Sequence, residues 1–265
     1  MIIAKQIGGI YMLFDTHAHF NDKRFKDDRD EAIKKAYESG VSYILNVSYN
    51  IPSLEHSVSL SRKYSYIYAA VGIHPHYSKE MNDEVLEKVR SLANDKKVVG
   101  IGEIGLDYYR DLSPREVQKD CFVRQINLAK EIKLPIIVHI RDANEDALKI
   151  LKDENAREVG GIIHSFSGDI NMAREVIENN FYISVGGPVT YRNAGKLVDV
   201  VKYVPLDKLL IETDCPYLTP EPFRGSRNDS SLVRLVAEKI ADIKGKTFDE
   251  IAETTTNNAK RLFML

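Results

Sequence analysis

The chain has 265 residues, 43% of them hydrophobic and 29% charged, a composition that excludes intrinsic disorder and is long enough to bury one large core. Its 37 Lys and Arg against 39 Asp and Glu give a formal net charge of -2, which excludes a protein that coats nucleic acid through charge alone. Any polyanion it handles must therefore be gripped locally.

From the N-terminus, residues 1–11 show neither a helix cap nor a clean alternation and read as an extension, with Met1 or Met12 as the start. The apolar stretch 7–14 is broken by Gly8 and Gly9 and followed by Asp15, so it is too short for a signal core or a membrane span. Residues 12–265 read as one domain in which short apolar, β-branched runs alternate with longer amphipathic ones. Strands are expected at 13–16, 43–47, 66–71, 98–101, 135–140, 161–165, 182–185 and 208–212. The helices between and after them are expected at 28–39, 52–63, 83–94, 114–132, 143–153, 171–179, 193–203, 230–243 and 248–263. Ser113 is placed to cap the helix that Pro114 begins, Asn82 and Asp83 to cap the third, and Ser39-Gly40 to end the first. Eight strands, apolar on both faces, with helices between them, give a TIM barrel. A doubly wound open sheet is the rival, but it has edge strands with a more polar face and usually five or six strands.

In a barrel, the C-terminal ends of the strands share one mouth, where reactive groups are placed. The first strand ends in His17-Ala18-His19, the third runs into His74-Pro75-His76, and the fourth into Glu103-Ile104-Gly105-Leu106-Asp107. The fifth ends at His139 before Arg141, the sixth at His164, and the eighth at Glu212-Thr213-Asp214. Six of the seven histidines fall at these ends, and only His56 lies in a helix. His17 and His19, two apart on an extended backbone, point the same way and can chelate one ion. With Glu103, His139, His164 and Asp214 arriving from other strands, the donors exceed one four-coordinate site. Two ions sharing a carboxylate is the economical solution, and it suits hydrolysis because attacking and leaving oxygens are both stabilised.

The ordered set Phe14-Asp15-Thr16-His17-Ala18-His19, Gly72-Ile73-His74-Pro75, Gly100-Ile101-Gly102-Glu103-Ile104-Gly105-Leu106-Asp107-Tyr108, Pro135-Ile136-Ile137-Val138-His139-Ile140-Arg141, His164-Ser165-Phe166-Ser167-Gly168 and Leu210-Ile211-Glu212-Thr213-Asp214-Cys215-Pro216-Tyr217-Leu218 resembles the TatD family of metal-dependent deoxyribonucleases, as does the closing Asn258-Ala259-Lys260-Arg261-Leu262-Phe263. The resemblance implies an amidohydrolase-type TIM barrel holding two divalent metals. Carried over by position, His17, His19 and Asp214 would hold one ion and His139 and His164 the other, with Glu103 bridging. Asp214 would also take the proton of the attacking water. The donor set accepts zinc, manganese or iron and does not exclude magnesium.

His74, Arg141, Arg224 and Arg227 are the cations placed to grip a phosphate, arginine because its paired donors match phosphate oxygens. The Pro-x-x-Arg-Gly-x-x-Asn pattern of the family is kept around Arg224, but Asp229 is followed by Ser230 where proline is usual, which puts the loop's rigidity in question. Gly186-Gly187-Pro188 reads as a tight turn ahead of a phosphate cradle, and Cys215 as packing ahead of a nucleophile. Tyr108 and Tyr109 offer faces on which a base could stack. Cys121 and Cys215 cannot build a disulfide framework and fit the cytoplasm. The expected function is hydrolysis of phosphodiester bonds in DNA from the 3′ end of single strands. The alternatives are hydrolysis of an ester such as that of a D-aminoacyl-tRNA, since the donors do not distinguish phosphorus from carbon, and a non-catalytic metal-stabilised scaffold.

Overall fold

The computed structural model describes residues 12–265, so the extension 1–11 lies outside the described residues. Strands and helices alternate in chain order: β1 Leu13–Ala18, α1 Arg29–Glu38, β2 Val41–Val47, α2 Ile51–Lys63, β3 Ile67–Val71, α3 Asp83–Ala93, β4 Val98–Asp107, α4 Arg115–Ile132 and β5 Ile136–Arg141. They continue with α5 Asn144–Asp153, β6 Gly161–Ile163, α6 Ile170–Glu178, β7 Phe181–Val185, α7 Gly195–Tyr203, β8 Leu209–Ile211, α8 Val233–Lys244 and α9 Phe248–Phe263. All eight strands pair in parallel in sequence order. The ring is drawn shut beyond β8, where Asp214 N donates to His17 O at 2.8 Å and His19 N to Cys215 O at 2.8 Å. This is a TIM barrel, as the sequence predicts.

The barrel interior is filled by Phe14, Leu45, Val47, Ala70, Val99, Ile137, Ile162, Tyr182 and Leu210, with Ala259 and Phe263 of α9 packed against its floor. Floor and mouth are thereby given separate tasks, because α9 plugs the N-terminal ends while the C-terminal ends stay open. The α9 helix is held by a capping box between Thr247 and Glu250 and by Asn258 Nδ2, which donates to Leu206 O and Leu209 O. Among the described residues, no helix is long and apolar enough to cross a membrane.

Some predicted boundaries differ. β4, expected over 98–101, runs to Asp107. Gly105 (φ 137°) explains this, since a Cβ there would lie 2.0 Å from His139 O. The missing side chain lets β4 stay paired with β5 as far as Asp107 and Arg141 and carries Glu103 into the mouth. The start of α4 differs too. Ser113 Oγ donates to His76 O at 3.1 Å rather than capping the helix, and Pro114 occupies the cap position without a side-chain bond. The α8 helix also begins late, after a 3-10 turn over Ser230–Leu232. Asn82 does cap α3, accepting from Val85 N at 2.9 Å, and Gly40 (φ 94°) follows α1.

Gly105→Ala is expected to lower unfolding stability by about 2 kcal/mol or more, because both the backbone conformation and the contact with β5 resist a side chain. Chemical denaturation measures it, and an unchanged midpoint would contradict the close-approach explanation.

Candidate metal centre

Glu103, delivered by the extended β4, is the centre of the constellation at the mouth. Its Oε1 lies 2.9 Å from His139 Nδ1, 2.9 Å from His164 Nε2 and 3.4 Å from His74 Nε2. Its Oε2 faces the other way, 3.5 Å from His17 Nε2 and 3.6 Å from His19 Nε2. Asp214, in a left-handed backbone conformation (φ 55°) just past β8, brings Oδ1 to 3.4 Å from His19 Nε2 and 3.9 Å from His17 Nε2. All six residues assigned to metal from the sequence therefore meet here, divided in two by one carboxylate.

The second nitrogen of each ring shows which lone pair is free. His19 Nδ1 donates to Val47 O at 2.9 Å, His139 Nε2 faces Asp107 Oδ2 at 3.2 Å, and His164 Nδ1 faces Glu212 Oε1 at 3.4 Å. With N–H at those positions, loss of the inward proton leaves His19 Nε2, His139 Nδ1 and His164 Nε2 with lone pairs aimed at the space beside Glu103 and Asp214. His139 Nδ1 and His164 Nε2 are then 3.2 Å apart, and His17 Nε2 and His19 Nε2 3.1 Å apart. A proton or a metal ion must lie between nitrogens that close, and once the inward protons are lost the imidazole and carboxylate donors of each half fit a divalent ion. His17 Nδ1 and Glu212 Oε2, buried without hydrogen-bond partners, add unspent donor capacity. His74 differs. Its Nδ1 accepts from His76 N at 3.1 Å, which puts the proton on Nε2 and makes that atom a donor.

Electrostatics follow the same division. Burial alone would raise the Glu103 carboxyl, but the charge of His164 and the hydrogen bonds from His139 and His164 hold it well below the usual range. Burial alone would lower His19, His139 and His164. Asp214 with Glu103, Asp107 with Glu103, and Glu103 with Glu212 respectively hold them above the ordinary histidine value. Burial lowers His17, aided by His164, and pushes His74 down to about 3. Burial would raise Asp214 as well, yet its bond from His19 and the nearby imidazoles keep it lowered and ionised.

The mouth opens into a cleft of about 860 Å³ lined by His19, His74, Glu103, His139, His164, Asp214 and Arg141. Arg224 and Arg227 are not among the lining residues. Arg227 forms a paired salt bridge with Asp28, bonds Arg24 O at 2.6 Å and covers the Phe25 ring, while Arg224 stacks on Tyr191 at 4.2 Å. Sequence reasoning gave no role to Asp107 and Glu212, although both stand at strand ends. Cys215 is fully buried and its thiol pushed up by burial, which fits packing. Gly187 leaves room for Leu218 O, which a Cβ would meet at 1.9 Å.

The TatD related DNase family matches residues 14–264. The chain belongs to the TatD family. It is 52% identical to YabD of Bacillus subtilis, described as an uncharacterized metal-dependent hydrolase, over 96% of this chain and 100% of that one. It is 33% identical to the 3'-5' ssDNA/RNA exonuclease TatD of Cronobacter sakazakii, over 95% and 98%. The crystal structure of YJJV, a TatD homolog from Escherichia coli, superposes with a TM-score of 0.90 at 32% identity, covering 96% and 98%. Like its TatD relatives, the protein is a metal-dependent hydrolase.

Because His19, His139 and His164 hold protons above the ordinary range, divalent metal must displace them, and apparent affinity falls as pH falls. Calorimetric titration with Zn or Mn at about pH 6, in buffers of differing ionisation enthalpy, is expected to show at least about one proton released per chain. Binding with no proton release would contradict this electrostatic account.

Proposed function

We propose that the protein hydrolyses phosphodiester bonds of single-stranded DNA from the 3′ end, using two divalent ions, with residues 12–265 as the catalytic domain. The observation that carries this reading is the division of Glu103, one oxygen toward His17 and His19 and the other toward His139 and His164. The relative named as a 3'-5' ssDNA/RNA exonuclease supports the substrate and polarity. A net charge of -2 fits a footprint of a few local phosphates. Buried, unpaired Cys121 and Cys215 fit work in a reducing cytoplasm.

When bound, the ions, zinc, manganese or magnesium, would supply Lewis-acid activation of water and neutralise phosphoryl charge. His17, His19 and Asp214 would hold one, His139 and His164 the other, and Glu103 both. Asp214, ionised and partly open to the cleft, accepts the water proton at a carboxylate oxygen. His74, kept neutral by burial, donates from Nε2 to a phosphoryl oxygen without adding a competing proton equilibrium near neutral pH. Water adds across the P–O bond, the phosphorus keeps the hydroxyl oxygen, and the leaving alcohol takes the proton. Arg227 stays outside this scheme because Asp28 engages its guanidinium, whereas Arg224, stacked on the cleft-lining Tyr191, stands where it can meet a phosphate further along the strand.

With end-labelled single-stranded DNA, metal-stripped protein is expected to be inactive and to regain mononucleotide release from the 3′ end when Mg, Mn or Zn is returned. Asp214→Asn should lose about 100-fold or more in kcat while keeping its circular dichroism. Near-normal turnover by the variant would remove Asp214 from proton transfer, and intact DNA after metal return would move the electrophile from phosphorus to carbon.

A further inference from the structure

The Arg141 guanidinium, on the rim beside the His139 half of the centre, lies over the Tyr109 ring at 3.8 Å and lines the cleft. No carboxylate pairs with it among the described residues, and the same holds for Arg110, which lines the cleft just after β4. Seven other arginines, Arg24, Arg62, Arg90, Arg115, Arg124, Arg227 and Arg234, are each neutralised by a carboxylate. Adjacent pairing of Asp107 with Arg141, and the bond from Tyr108 N to Arg141 O at 2.9 Å, bring the two loops together. Stacking orients a guanidinium by its face and leaves its N–H edge for an anion, the geometry that phosphate oxygens match. One face of Tyr109 is therefore occupied by the Arg141 guanidinium.

We propose that Arg110 and Arg141, with Tyr109 beneath, form a second phosphate subsite that takes the phosphodiester adjoining the one being cleaved. The inference rests on the phosphodiesterase reading above. Its consequence is a length requirement: a strand with a further phosphate is bound more tightly than a dinucleotide with a single phosphodiester. Each guanidinium lost should cost about tenfold in affinity for the longer strand, the lower end of charged hydrogen bonding because the site is exposed.

The test compares wild type, Arg141→Ala, Arg110→Ala and the double variant on a 10-nucleotide single strand and on a dinucleoside monophosphate, with Mn returned. The ratio of kcat/KM for the two substrates should fall about tenfold in each single variant, mainly through KM on the long strand. Binding of the labelled strand to chelator-treated protein, followed by fluorescence anisotropy, should weaken in parallel, with a shallower salt dependence. Arg141→Lys, which keeps charge but not the stacked fork, should recover only part of the ratio. An unchanged ratio, whether both substrates suffer or neither does, would overturn the subsite. Hydrolysis of neither substrate by wild type would instead overturn the phosphodiesterase reading and the subsite with it.

Discussion

One buried carboxylate faced by imidazoles from five histidines sets the terms for the rest of the molecule. Glu103 is almost wholly buried, and a lone charge there would be prohibitive. His17, His19, His74, His139 and His164 surround it within 3.6 Å, and hydrogen bonds from His139 and His164 hold it ionised. No local segment can supply five rings from four different strand ends. A parallel barrel can, because every strand end opens onto the same mouth. Outside the rings, Val47 O, Asp107 and Glu212 fix the tautomers.

Asp15 does comparable work where the barrel closes. It is fully buried and its carboxyl is raised to about 7 by that burial, offset by bonds from Ser230, Thr213 and His17 N. Those bonds join β1 to the turn after β8 and to the entry of α8, which fixes the backbone that presents Asp214. The two cysteines are spectators to this chemistry, since both are buried with thiols raised by desolvation.

The histidines and carboxylates at the mouth were legible because strand periodicity and the strand-end rule are both local readings. His17-Ala18-His19 shows its shared direction in three residues, and the last helix is read at 248–263 from its amphipathic pattern, as α9 has it. What stayed hidden depends on partners far away in the chain. Arg227 looks like a phosphate ligand until Asp28, 199 residues earlier, takes its guanidinium. The length of β4 depends on how closely β5 approaches Gly105, and Ser113 leaves its capping role for His76 O, 37 residues away. Asp107 and Glu212 were visible as strand-end acids, but their roles lie in which imidazole nitrogen they face.

The central claim is that Glu103 shares its two oxygens between two ions. Metal content by plasma mass spectrometry together with electron paramagnetic resonance of Mn-loaded protein tests it most directly, on wild type beside Glu103→Gln. The account predicts about two Mn per chain with an exchange-coupled spectrum, and loss of coupling with loss of about one ion in the variant. A single ion per chain, or two uncoupled ions in wild type, would contradict it.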